Sequence, residues 1–182
     1  MRPVFEQVGE QEVHRGHVVS FAEGVFTAPD GSCIVRDIVR HPGAVVIAPV
    51  VDGRTALLVR QFRAAVNGEV LELPAGKRDR PDEPPEDTAG RELAEEVGMA
   101  AGKLVRLAEF YNSPGFCDEY SFLYLATDLS PVPPSRQTVE EHHLEIESIP
   151  LADALGLIRS GTIRDAKTII GLTLAIEHLQ GA

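Results

Sequence analysis

The stretch Arg91-Glu92-Leu93-Ala94-Glu95-Glu96-Val97-Gly98, preceded by Leu73-Pro74-Ala75-Gly76, gathers three carboxylates and one guanidinium into a few residues. Wound as an α-helix at about 100° per residue, it puts Glu92, Glu95 and Glu96 in one sector and Ala89, Leu93 and Val97 in the sector beside it. One face can then bury while its flank presents acid. Glu92 and Glu96 stand one turn apart, so both can reach a hard cation, whose preferred ligands are carboxylate, carbonyl and water oxygens. Acidic helix faces are most often simply solvated. Here the like charges repel by roughly a few tenths of a kcal/mol per i,i+4 pair, and Arg91 alone is close enough in sequence to offset them. The spacing asks for bound positive charge.

The elements that must hold this helix are readable on either side of it. Val13 to Phe21 is expected as a strand, and Val25 to Ala28 with Cys33 to Val39 as a hairpin around Pro29-Asp30-Gly31, since Asp-Gly accepts the positive φ of a tight turn. A second hairpin is expected from Ala44 to Val51 and Thr55 to Val59 about Asp52-Gly53. Its continuous apolar runs predict strands covered on both faces. Pro84-Pro85-Glu86-Asp87 opens a helix over 85–97 that Gly98 stops. Strands follow at Leu104 to Tyr111 and Tyr120 to Ala126. The prolines of Leu129-Ser130-Pro131-Val132-Pro133-Pro134-Ser135 predict a loop. The tail gives a strand near Leu144 to Ile149, a helix from Leu151 to Arg159 and an amphipathic helix from about Ala166 to Leu179. Strands with helices late in the chain indicate a sheet sandwiched between helices, with the N-terminal strands added to it.

Composition narrows the partners. The chain has 182 residues, enough for one globular fold and too few for a second independent domain of ordinary size. Asp and Glu outnumber Lys and Arg by 28 to 17, and a net charge of −11 argues against duplex nucleic acid or an anionic membrane as partner. Cys33 and Cys117 lack the spacing of a zinc or redox motif and are expected to be reduced and packed. No apolar stretch reaches the roughly 18 residues of a membrane span, and the first residues carry no signal-peptide core, so a cytoplasmic setting is expected.

With these residues in place, the acidic stretch resembles the Nudix box, G-x5-E-x7-R-E-U-x-E-E-x-G-U with U a bulky apolar residue. Gly76, Glu83, Arg91, Glu92, Leu93, Glu95, Glu96, Gly98 and Met99 fill its fixed positions. It departs in one respect: six residues rather than five separate Gly76 from Glu83. The resemblance implies an α/β fold, a Nudix-type α/β/α sandwich with a mixed sheet plus a small N-terminal antiparallel β extension, divided as 1–40 and 41–182. It implies Glu92 and Glu96 as the main ligands of divalent metal, Glu95 on a second ion or water, and the Ala75 carbonyl completing the site. Arg91 would orient the carboxylates, and the cofactor would be two or three Mg²⁺ or Mn²⁺ ions acting on a pyrophosphate. Gly90, inside the helix, has no role in this scheme and costs about 1 kcal/mol against alanine.

The box does not choose among pyrophosphates. Ser113-Pro114-Gly115-Phe116-Cys117-Asp118-Glu119 resembles the S-P-G-x-x-x-E segment of the ADP-ribose pyrophosphatase subgroup, as do Leu58-Val59-Arg60-Gln61-Phe62-Arg63 and Glu72-Leu73-Pro74-Ala75-Gly76. Carried over by position, Ser113 and Glu119 would contact ribose or phosphate, and Arg63 would bind phosphate through its planar fork. Glu72 would lie near the metal or the adenosine. The subgroup's adenine clamp comes from the N-terminal strands of a partner subunit, which suggests Phe21 for stacking, Arg36 or Arg40 for polar contacts, and an isologous homodimer. The catalytic base would sit on the Gln137-Thr138-Val139-Glu140-Glu141-His142-His143 loop, with Glu140 first and Glu141 second. Alternatives are a Nudix enzyme for another nucleoside diphosphate derivative or triphosphate, and a sensing module that binds ADP-ribose without cleaving it; the complete acidic set favours an enzyme.

Overall fold

In the computed structural model, which describes residues 4–80, 82–133 and 142–181, the chain divides into two compact units. One runs up to Gly43 and takes in Phe110–Tyr120; the other comprises Ala44–Glu109 and the residues from Ser121 onward.

The first unit is built on an antiparallel sheet of β1 (Glu6–Arg15), β2 (Ser20–Thr27) and β3 (Cys33–Arg40), in that order. The β2–β3 hairpin closes as expected, with Gly31 at φ 84°. The strand expected over Val13 to Phe21 is corrected: β1 stops at Arg15, and a turn closed by Gly16 N–H on the Val19 carbonyl at 2.9 Å separates it from β2. Apolar residues on both sides of that turn conceal it in the sequence. The Phe116–Asp118 segment is tied to the end of β3, since Val39 N–H donates to the Phe116 carbonyl at 2.7 Å and Asp118 N–H to the Val39 carbonyl at 3.1 Å.

The second unit carries a mixed sheet in the order β10-β5-β4-β9-β8, formed by β4 (Ala44–Val51), β5 (Thr55–Arg63), β8 (Met99–Tyr111), β9 (Tyr120–Pro131) and β10 (Glu145–Pro150). β4 and β9 are parallel and β4 and β5 antiparallel. The connection is three residues, Asp52-Gly53-Arg54, with positive φ at Asp52 and Gly53, 53° and 69°, and Arg54 N–H donating to the Val51 carbonyl at 3.1 Å. β4 and β5 are paired only near that turn. Farther along, β6 (Gly68–Glu72) pairs with β5 and β7 (Ala75–Lys77) with β4, so the chain crosses between the two at Leu73-Pro74. Neither β6 nor β7 is evident in the sequence, being short and bearing glycine.

Helices cover both faces. On one, Ala89, Leu93 and Val97 pack with Val45, Ile47, Val59, Tyr124 and Ala126 in a single apolar cluster. On the other, Gly171 of the last helix meets Leu73 and Leu123, the neighbour of Tyr124 along β9 and so on the opposite face. The helices are α1 (Pro85–Glu92), α2 (Leu151–Arg159) and α3 (Ala166–Gly181). Two expectations change. The helix over 85–97 is α-helical only to Glu92; Leu93–Val97 is a π turn, in which Gly98, left-handed at φ 69°, shares its N–H between the carbonyls of Leu93 and Ala94. β9 also runs on to Pro131, into the expected loop. Among the described residues no helix is long and apolar enough to cross a membrane.

Candidate active site

α1 starts with Pro85 at its first turn and Glu86 and Asp87 beside the positive end of its dipole. Its buried side drives Leu93 and Val97 into the core, which draws the acidic flank in with it. Glu95 and Glu96 are 8% and 6% exposed, and the Glu92 side chain is also largely covered. Carboxylates this far from water must be paired, because burying an isolated charge is costly.

Arg91 supplies much of that pairing. Its Nη1 donates to Glu92 Oε1 at 2.8 Å and to Glu95 Oε2 at 3.0 Å, and its Nη2 to Glu83 Oε2 at 3.3 Å. Burial works against the Arg91 charge, yet the bond to Glu83 and the fields of Glu92 and Glu95 raise its pKa further above the ordinary arginine value. The Thr88 hydroxyl donates to Glu83 at 2.9 Å and, with Arg91, holds that carboxyl below the usual range. The extended loop before α1 is thereby fastened at Glu83, which explains how it tolerates an extra residue. The third buried carboxylate is held differently: Ala75 N–H donates to Glu96 Oε2 at 3.1 Å.

Gly76 permits this approach. A Cβ there would lie 1.8 Å from Glu92 Cδ and 2.2 Å from its Oε1, so the Glu92 carboxylate keeps this position against β7 only across a glycine. Side by side are therefore the carboxylates of Glu92, Glu95 and Glu96 and the backbone of Ala75 and Gly76. Every donor in this set is a hard oxygen, and the three carboxylates outnumber the one charge that Arg91 brings to them. That set suits Mg²⁺ or Mn²⁺ rather than zinc. Among the described residues no three such side chains already converge as a finished cage; Glu92 and Glu95 turn to Arg91 instead.

A second charged group adjoins β6. Glu72, 2% exposed, is gripped by Arg63 through Nε–Oε1 at 2.8 Å and Nη2–Oε2 at 2.7 Å, and Lys167 Nζ stands 3.9 Å from its Oε2. The bond to Glu72, and more distantly the field of Glu96, keep the Arg63 pKa raised despite burial. Arg63 and Glu72, expected to act separately, are thus partners. The sequence reading missed Lys167, Asp165 and Thr168 at the start of α3. Asp165 immediately before a helical run is the available clue, since it marks an N-cap.

In the first unit, Arg40 is paired with Glu10 and, at 2.9 Å, with Asp118, while Arg36 is exposed and donates to the Val35 carbonyl. Phe21 is half-buried on β2 opposite His14 and Val39. The Ser113 carbonyl accepts from Phe116 N–H and Cys117 N–H, and Asn112 N–H donates to the Glu119 carbonyl. Ser113-Pro114-Gly115 is therefore a turn bringing Asn112 and Glu119 together. Glu140 and Glu141 lie outside the described residues.

Comparison with known proteins agrees with this geometry. The NUDIX domain model matches residues 39–170. An ADP-ribose pyrophosphatase of Bacillus subtilis (strain 168) is 38% identical over 95% of this chain and 91% of its own length. A methanol dehydrogenase activator of Bacillus methanolicus is 34% identical over 99% and 96%. A crystal structure of an ADP compounds hydrolase superimposes with a TM-score of 0.85 at 25% identity, covering 97% of this chain and 95% of that one.

Proposed function

The chain belongs to the NUDIX domain family, and from that premise we propose that it hydrolyses the pyrophosphate bond of ADP-ribose, giving AMP and ribose 5-phosphate in a divalent-metal-dependent reaction. The observation carrying the proposal is the trio Glu92, Glu95 and Glu96, the last two buried and the first largely covered, closed against Gly76 with Arg91 hydrogen-bonded to Glu92 and Glu95. The choice of ADP-ribose draws on the names of the Bacillus subtilis relative and the solved hydrolase, together with the Ser113-to-Glu119 segment.

Glu92 and Glu96 would be the main ligands of two or three Mg²⁺ or Mn²⁺ ions, with the Ala75 carbonyl beside them and Glu95 on a further ion or its water. When bound, such ions neutralise the pyrophosphate charge and make water more acidic. Arg91 keeps Glu92 and Glu95 in place and remains charged throughout. Glu140 takes the proton of the attacking water, with Glu141 as the alternative, because the helix glutamates are occupied. Arg63, braced by Glu72, offers its remaining donors to phosphate, and Ser113 and Glu119 contact ribose or phosphate. Phe21 and Arg36 or Arg40, donated by a second copy, hold the adenine in a homodimer. A partner over the N-terminal sheet suits the exposure of Val8, Val13 and Val35. Cys33, expected to be packed, is instead exposed on the edge strand β3, and the free thiols of Cys33 and Cys117 suit a cytoplasmic setting.

Incubation with Mg²⁺ and, separately, ADP-ribose, other nucleoside diphosphate sugars and nucleoside triphosphates, with products resolved by chromatography, tests the assignment. AMP from ADP-ribose at the highest kcat/KM is expected. Preferential release of inorganic pyrophosphate from a triphosphate would overturn it.

A further inference from the structure

The crossover from β6 to β7 is pinned from three directions. Leu73 N–H donates to Thr168 Oγ1 of α3 at 2.8 Å, the Pro74 carbonyl accepts from Ile47 N–H of β4 at 2.9 Å, and Ala75 N–H donates to Glu96 of the acidic turn at 3.1 Å. Thr168 is fully buried and its hydroxyl has a fixed direction, because it donates to Asp165 Oδ2 at 2.7 Å while its own N–H reaches the same oxygen at 2.9 Å. Lys167 Nζ takes the other Asp165 oxygen at 2.6 Å and faces Glu72. Farther along α3, a Cβ at Gly171 would meet Leu73 Cδ1 at 2.3 Å, so the helix lies as close to Leu73 as a glycine allows. α3 therefore holds Leu73 by its backbone and its side chain together.

An aspartate capping a helix is ordinary and stabilises only the helix. The Thr168 bond differs because it leaves the helix and ends two residues from Ala75. We propose that Asp165, Lys167 and Thr168 are positioning residues for the cation site: the first turn of α3 fixes Leu73–Ala75, and through it the Glu96 carboxylate and the Ala75 carbonyl, while Lys167 helps Arg63 hold Glu72. This inference rests on the cation-site reading above. Burial pushes the Asp165 carboxyl up, but Lys167 and the two Thr168 bonds outweigh it and keep the group below its usual range, so the anchor stays ionised.

The test measures Mn²⁺ binding without substrate, by the electron paramagnetic resonance of free Mn²⁺, alongside kcat, KM and Tm. Thr168→Val replaces the hydroxyl with a methyl of similar size. It is expected to weaken Mn²⁺ binding by about tenfold or more, the range seen when outer partners of metal ligands are removed, and to lower kcat more than it raises KM. Thr168→Ser keeps the hydroxyl and restores both. Asp165→Asn retains a cap acceptor without the charge and should act in the same direction by a smaller factor, about threefold. If Thr168→Val fails to fold, Asp165→Asn decides. Unaltered Mn²⁺ affinity and kcat with only a lower Tm would overturn the inference. Glu96→Gln, run in parallel, separates the two failures: if it too binds Mn²⁺ normally, the cation site itself is wrong, whereas if it alone binds weakly, only the positioning role falls.

Discussion

Two regions of this chain treat charge in opposite ways. Around the Glu92–Glu96 turn the carboxylates are largely covered, and hydrogen bonds tie them to Arg91 and to the backbone of a crossover that is itself held by α3 and β4. In the N-terminal sheet β1 is exposed along almost its whole length, and its Arg15–Glu12 pair has side chains 78% and 41% exposed, where an ion pair contributes little. The first region can fix a geometry by itself, since moving any group leaves a buried charge or N–H unsatisfied. The second cannot: a three-stranded sheet with so little buried apolar surface has marginal stability and gains from cover. On the proposed function, chemistry and cation affinity would fall to the acidic turn, and substrate affinity and assembly to the sheet.

The largest test of that division is Glu96→Gln, which should fold normally yet lose about 10²- to 10³-fold in kcat, equivalent to several kcal/mol of charge stabilisation. Near-normal turnover at saturating Mg²⁺ would remove Glu96 from the site. Glu140→Gln should cost about a hundredfold in kcat, at the low end for loss of a general base, with Mn²⁺ affinity intact. Should Mn²⁺ affinity fall with it, Glu140 is a ligand rather than a base. Gly76→Ala sharpens the same side of the comparison. Its Cβ would sit 1.8 Å from Glu92 Cδ and push that flexible side chain aside, so kcat should drop by about tenfold or more, with stability changed by less than about 1 kcal/mol. Denaturant titration beside steady-state kinetics measures both. For the sheet, Phe21→Ala should raise KM by about tenfold through lost stacking, leaving kcat nearly unchanged. A fall in kcat without a change in KM would put Phe21 on the wrong side of the division.

How far the site was legible follows the range of the forces that build it. Arg91, Glu92, Glu95 and Glu96 are contiguous, so their spacing alone predicted an acidic face beside a buried one, and the hairpin at Asp52-Gly53 declared itself through its turn residues. Contacts made across the fold were silent. Nothing in the sequence says that Arg63 grips Glu72, that Thr168 accepts from a backbone amide 95 positions away, or that Gly76 is the point of closest approach to Glu92. The π turn was hidden for another reason: apolar residues at 89, 93 and 97 suit a regular α period, and only the hydrogen bonding at Gly98 reveals the added residue.

That turn also gives Gly90 a role to test, with the smallest expected effect. A Cβ at position 90 would meet nothing within 4 Å, so space does not require glycine there. Propensity alone then predicts that Gly90→Ala stabilises the protein by about 1 kcal/mol, or roughly 2–4 °C in Tm for a chain of this size. Gly90 stands three residues before the π segment, and its carbonyl accepts from Leu93 N–H. If helix and turn are independent, kcat should be unchanged while Tm rises. If the pliant residue lets the backbone widen from α to π and so carries Glu95 and Glu96 inward, the same substitution should raise Tm and lower kcat together. A thermal melt and one kinetic series on this variant separate the two, and the joint outcome would tie local helical softness directly to the placement of the buried carboxylates.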